Sequence, residues 1–118
     1  MRRGTTPTYK LVADADLIGQ RVIVTLRGQG NKVDLDGDRL TMEPDVDGGG
    51  NAVTNIYFTL TQPETLRFTQ PKAYAWDDPK RLCKVQIRTI DEHGVANASD
   101  MADIDIRPIL KDGVISYE

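Results

Sequence analysis

The run Lys80-Arg81-Leu82-Cys83-Lys84-Val85-Gln86-Ile87-Arg88-Thr89-Ile90 sets the strongest constraint on what this chain can become. In an extended backbone, Cys83, Val85, Ile87 and Thr89 take one side, and Lys84, Gln86, Arg88 and Ile90 take the other. Strand side chains alternate faces with a period of two, so the run specifies a half-buried strand with a wet, charged face. A helix with ~3.6 residues per turn would separate Val85 from Ile87 by about 200° and leave no apolar stripe. The other apolar segments then read as partners for this strand.

Taken in order, residues 1 to 8 have no apolar periodicity and predict an extended arm, held either by its own sheet or by a neighbouring molecule. Strands are expected over Tyr9 to Val12, Arg21 to Arg27, Lys32 to Leu35 and Arg39 to Glu43, the last stopped by Pro44. Residues 45 to 51 read as an exposed, flexible loop, and Asn55 to Thr61 as a strand with Ile56, Phe58 and Leu60 inward. Thr61, Pro63 and Glu64 have the composition of one capped helical turn, after which Leu66 and Phe68 close an end of the core. A loop over Gln70 to Pro79 carries Tyr74 and Trp76. Val95 to Asp100 is small and polar, Ala102 to Arg107 alternates as a strand, and Ile109 to Glu118 is a tail suited to an edge strand.

Seven or eight short strands between turn signals, with no amphipathic helix, predict an all-β fold. The expectation is a single antiparallel β-sandwich, immunoglobulin-like or jelly-roll-like, spanning residues 1–118 with an extended N-terminal arm. At 118 residues the chain is long enough to bury one core without staples. Its net charge of -3 argues against a general nucleic-acid binder. The single cysteine, Cys83, leaves no internal disulfide and fits a reducing cytoplasm. No apolar run approaches the ~20 residues of a membrane helix, and the start Met-Arg-Arg-Gly-Thr-Thr-Pro-Thr has no apolar signal region.

Catalytic patterns are weak. Asp34, Asp36 and Asp38 alternate like the first ligands of a calcium loop, with Asp45 at the spacing of the last. Arg39 stands where that loop needs Gly and the flanks read as strands, so the segment is taken as a solvated turn. His93 is the only histidine and lies in a turn ten residues from Cys83, which faces inward, so neither a Cys-His pair nor a zinc site is expected. The reading is non-enzymatic, with no cofactor. Tyr74 and Trp76, two apart in a loop, are candidate recognition contacts of the kind that anchor protein interfaces and sugar-binding surfaces; the alternative is that Trp76 caps the core.

Several segments carry a resemblance as a set. The opening Met1-Arg2-Arg3-Gly4-Thr5-Thr6-Pro7-Thr8, the stretch Leu60 to Phe68, Val85-Gln86-Ile87-Arg88, Ala98-Ser99-Asp100 and the ending Ile109 to Ile115 resemble a family of small proteins encoded by phages and prophages of Gram-positive bacteria. The overall strand pattern is also similar to the β-sandwich at the N-terminus of phage baseplate upper proteins. The resemblance implies a virion structural protein of head, neck or tail/baseplate, made in the bacterial cytoplasm and present in several symmetric copies beside other phage structural proteins. Arg2, Arg3, Thr5, Thr6 and Pro7 are the candidate assembly contacts, joined by the sheet edges; the alternative is a host-surface module that recognises a carbohydrate or protein through Tyr74, Trp76 and the loop over 45–51. On that reading, a chain lacking residues 2 to 8 is expected to fold as a monomer and fail to assemble.

Overall fold

A computed structural model describes residues 2–28, 31–68, 81–106 and 114. Among them the chain forms β1 (Thr8–Ala13), β2 (Arg21–Gly28), β3 (Asn31–Asp36), a 3-10 turn (Gly37–Arg39), β4 (Thr41–Val46), β5 (Ala52–Thr59), helical turn α1 (Gln62–Leu66), β6 (Arg81–Ile90), β7 (Ala96–Ala98) and β8 (Ala102–Ile106). These strands make two packed antiparallel sheets, an all-β sandwich. The smaller sheet has the order β1-β5-β4. The larger is β3-β2-β6, with β7 and β8 both paired along the outer side of β6. The expected loop with Tyr74 and Trp76 and the expected tail strand lie outside the described residues, Val114 aside.

β6 is the hub that its alternation implies. Cys83, Val85 and Ile87 are buried, whereas Lys84 and Arg88 are exposed. Its register with β2 sets Val24 opposite Ile87 and Leu26 opposite Val85, and β2 in turn sets Val24 against Leu35 and Leu26 against Val33. From the smaller sheet, Ile56, Phe58 and Leu60 meet this layer, and Phe68 and Leu17 close it. Each aliphatic side chain fully removed from water contributes about 1.5–3 kcal/mol, so this layer dominates the stability. On the wet face, cross-strand pairs such as Arg21 with Asp36 (3.0 Å) and Thr25 with Asp34 (2.6 Å) fix register more than they stabilise.

Several local expectations need correction. Pro44 does not stop β4, which continues to Val46. Asp47 pairs with Asn51 at the hairpin, so alternate residues 43 and 45 bond to β5 while Pro44 points its nitrogen away from the sheet. An edge strand tolerates proline there because no ladder bond is lost. Asp45 and Val46 are therefore strand, and the hairpin beyond them is tightly bonded. The Asp47 carboxylate accepts N–H bonds from Gly49 (2.8 Å) and Asn51 (2.9 Å), and these hold it below the usual carboxylate range. The turn after β6 repeats the device: Asp91 Oδ1 accepts from His93 and Val95, both at 2.9 Å. In both turns the fourth residue, Gly50 or Gly94, sits at φ +80°, a left-handed conformation that favours glycine.

The small, polar stretch after that turn becomes strand β7. β7 and β8 form one edge interrupted by a bulge, because the register against β6 steps by one residue between them. Ser99 fills the step: its N–H reaches Ile87 O (2.8 Å), and its Oγ accepts from Ile87 N (3.0 Å). The step reverses which parity faces the core. Asn97 stands opposite Thr89 in β7, whereas Ala102 and Ile104 stand opposite Val85 and Cys83 in β8.

The N-terminal arm is held by its own chain. Arg3 is only 5% exposed, and its Nε and Nη2 donate to Phe68 O (2.8 Å) and Leu66 O (3.2 Å). Thr65 Oγ1 donates to Thr5 O (3.0 Å), and Leu60 N donates to Pro7 O (3.0 Å). The end of α1 presents carbonyls that lack helical partners, and the Arg3 guanidinium satisfies two carbonyls there.

Candidate functional site

Carboxylates of the expected solvated turn are engaged in local bonds. Asp34 accepts from Thr25, Asp36 pairs with Arg21, and Asp45 accepts from Val46 N (2.8 Å) and Asn55 Nδ2 (3.1 Å). Among the described residues, no group of three or more His, Cys, Asp or Glu is placed to hold a metal ion. His93 lies exposed in the β6–β7 turn beside Glu92, at the opposite end of β6 from Cys83. Cys83 is fully buried, and burial pushes its thiol up to about 11. It is therefore expected to react with a thiol reagent at pH 8 about a hundredfold or more slowly in the native protein than in the unfolded one, as followed by mass-resolved labelling. Labelling of the native protein at the unfolded rate would contradict this burial.

The sheet edges carry more information. β4 bears Pro44 flanked by Glu43 and Asp45; β3 bears Lys32, Asp34 and Asp36; the β7–β8 edge is broken by its bulge and carries Asp100 and Asp103. These are the devices that blunt an edge against further pairing. β1, Thr-Tyr-Lys-Leu-Val-Ala, has none of them except the single charge of Lys10.

Its bonding parity follows from the Pro7–Leu60 bond. Tyr9, Leu11 and Ala13 bond to β5, so Thr8, Lys10 and Val12 turn their N–H and C=O groups toward the open side. The side chains alternate in step. Tyr9, Leu11 and Ala13 are half-buried toward the core, with Tyr9 stacked at 5.6 Å on Phe58, while Val12 is 54% exposed on the outer face.

Beside this edge the two sheets part. A cleft of about 480 Å³ opens between β1 and its following loop on one side and β6, the bulge and β8 on the other. Its walls are mainly apolar, with Leu11, Ala13, Val85, Ile87 and Ala102 among them, and Asp14 and Asp100 at its lining give it a negative border. The loop over 14–20 is anchored there by Thr54, which is fully buried: Thr54 Oγ1 donates to Ala15 O (2.8 Å) and accepts from Leu17 N (2.9 Å).

Of the residues expected to act in assembly, Arg2, Thr5 and Thr6 are exposed and Pro7 is half-buried, running directly into β1. The Arg3 side chain is taken up within its own chain. Tyr74 and Trp76 lie outside the described residues. Sequence reasoning missed the edge of β1, although a signal was present: among the described edge strands it is the one without proline, bulge or acidic residue. The chain matches no family model, no curated protein and no solved structure.

Proposed function

We propose that this protein is a non-catalytic assembly component of a bacteriophage particle, joined to its neighbours through a sheet edge. The observation that carries the reading is the contrast between the described edges: three carry proline, a bulge or acidic residues, while β1 carries only the charge of Lys10 and is continuous with the exposed Thr5 and Thr6. A monomer that never paired would gain from blunting that edge as well. The sequence resemblance to small phage and prophage proteins supplies the particle. Because Arg3 is committed internally, the proposed contact moves from the arm as a whole to Thr5, Thr6 and β1.

Quantitative mass spectrometry of gradient-purified particles from the producing strain tests this reading. The expected result is the protein at a fixed ratio to the major capsid protein, the ratio indicating ring, tail or lattice position. Absence from clean particles, with the protein abundant in infected cells, would remove the structural role.

A further inference from the structure

We propose that the cleft beside β1 is the seat of a single β-strand donated by another polypeptide, which pairs with β1 and completes the smaller sheet. The proposal deepens the assembly reading and rests on it for its biological setting. Two independent features specify an extended strand as the occupant. The open side of β1 offers the N–H and C=O groups of Thr8, Lys10 and Val12 at the two-residue spacing that only an extended backbone matches. The adjoining floor, Val85, Ile87 and Ala102, is apolar and faces the position where alternate side chains of an added strand would point.

The sandwich is unequal on this side. β6 continues outward into β7 and β8, whereas among the described residues β1 has no strand beyond it. The larger sheet therefore extends one strand further, and a bare strand fits over that overhang. A second copy docking through its own β1 would bring its own β7–β8 overhang toward the same space, so the occupant is a segment from a different chain. Its chemistry follows from the walls: aliphatic side chains at alternate positions, and a Lys or Arg at the end near Ala13, where Asp14 and Asp100 line the cleft.

The probe is a synthetic eight-residue peptide with Val at alternate positions, Thr between them and Lys at one end. Added to the ¹⁵N-labelled full chain, it is expected to slow amide exchange at Thr8, Lys10 and Val12 at least tenfold and to shift the amides of Val85 and Ile87. Val12→Pro removes an outward N–H and no bond to β5, so it should abolish this binding with the fold intact. Ala102→Glu places a carboxylate on the cleft floor at an exposed position and should weaken binding at least tenfold, which keeps the test open should Val12→Pro fail to fold.

Unchanged exchange at the three amides overturns the proposal, as does peptide binding indifferent to both variants. Concentration-dependent dimerisation that protects the same amides without peptide would instead identify a second copy as the occupant. An apolar dye that fills the cleft without protecting them would identify a small ligand. In particles, loss of Val12→Pro beside retained wild type supports the strand site. Equal incorporation of both overturns the strand site and leaves the assembly reading standing, while absence of the wild type removes that reading whatever the peptide does.

Discussion

Replacing Arg3 by Ala is expected to lower stability by about 3 kcal/mol, or roughly 10 °C in melting temperature for a domain of this size. The guanidinium is buried and bonded to Phe68 O and Leu66 O, over 60 residues away in the chain. Alanine removes the donors and strands two carbonyls at the end of α1 in a site that water reaches poorly. Each charge-assisted bond of this kind contributes ~1.5–3 kcal/mol, and the sum is discounted because Leu66 is only half-buried. Arg3→Lys should recover little, since an ammonium has no planar fork to span both carbonyls. Deleting residues 2 to 8 should cost more, because it also removes the Thr5 acceptor for Thr65 and the Pro7 acceptor for Leu60. The chain without its arm is then a destabilised protein, in contrast to the folded monomer that the sequence leads one to expect. Thermal melts of the full chain, the two variants and the deletion decide the matter; a deletion that melts with the wild type would show that the arm is structurally idle.

Glu64→Ala is expected to cost about 2–3 kcal/mol. Glu64 is 7% exposed and does three jobs at once. Its Oε1 accepts from Thr61 N (2.8 Å), closing the capping box in which Thr61 Oγ1 accepts from Glu64 N (3.3 Å). Both its oxygens meet Arg39, at 2.6 and 3.0 Å, and Arg39 Nη2 also donates to Thr59 O (3.0 Å). Through this pair the turn between the two sheets is fastened to α1. Breaking a fully buried pair costs ~3–5 kcal/mol. Arg39 is 42% exposed, so solvent screening brings the figure down.

The same pair sets an acid limit. The Arg39 hydrogen bond, followed by the bonds from Thr61, holds the Glu64 carboxyl below its ordinary 4.5 against the opposing effect of burial. A folded-state value below the unfolded one means that the stabilisation is fully present above about pH 4.5 and is lost as pH falls through the lowered value. Wild type should therefore lose stability on acidification through that window more steeply than Glu64→Gln, and the two denaturation curves should converge toward low pH. Parallel curves would assign the acid sensitivity to other carboxylates.

Both effects lie where sequence reading reached only part of the way. The helical turn and its cap were legible in Thr61-Gln62-Pro63-Glu64, because a capping box is a contact between residues three apart. The second partner of Glu64 was not, since Arg39 arrives from another sheet connection. The D-x-x-G turn at Asp91 is likewise a local pattern, whereas the same pattern at Asp47 was obscured by the surrounding glycines, which read as a flexible loop. The inclusion of Pro44 within β4 depended on which side of the strand had a neighbour.

The sequence by itself determined the strands whose side chains alternate, namely β2, β5, β6 and β8, and with them the all-β class and the inward face of each. That information is local: a period of two needs only adjacent residues to declare it. Tertiary structure alone decided that the arm folds back through Arg3, that a bulge at Ser99 reverses the face of the edge strand, and that β1 lies at an edge of the described smaller sheet. Those outcomes depend on which groups find partners across tens of residues, and pairing over such distances is set by the packing of the two sheets rather than by any neighbourhood of the chain.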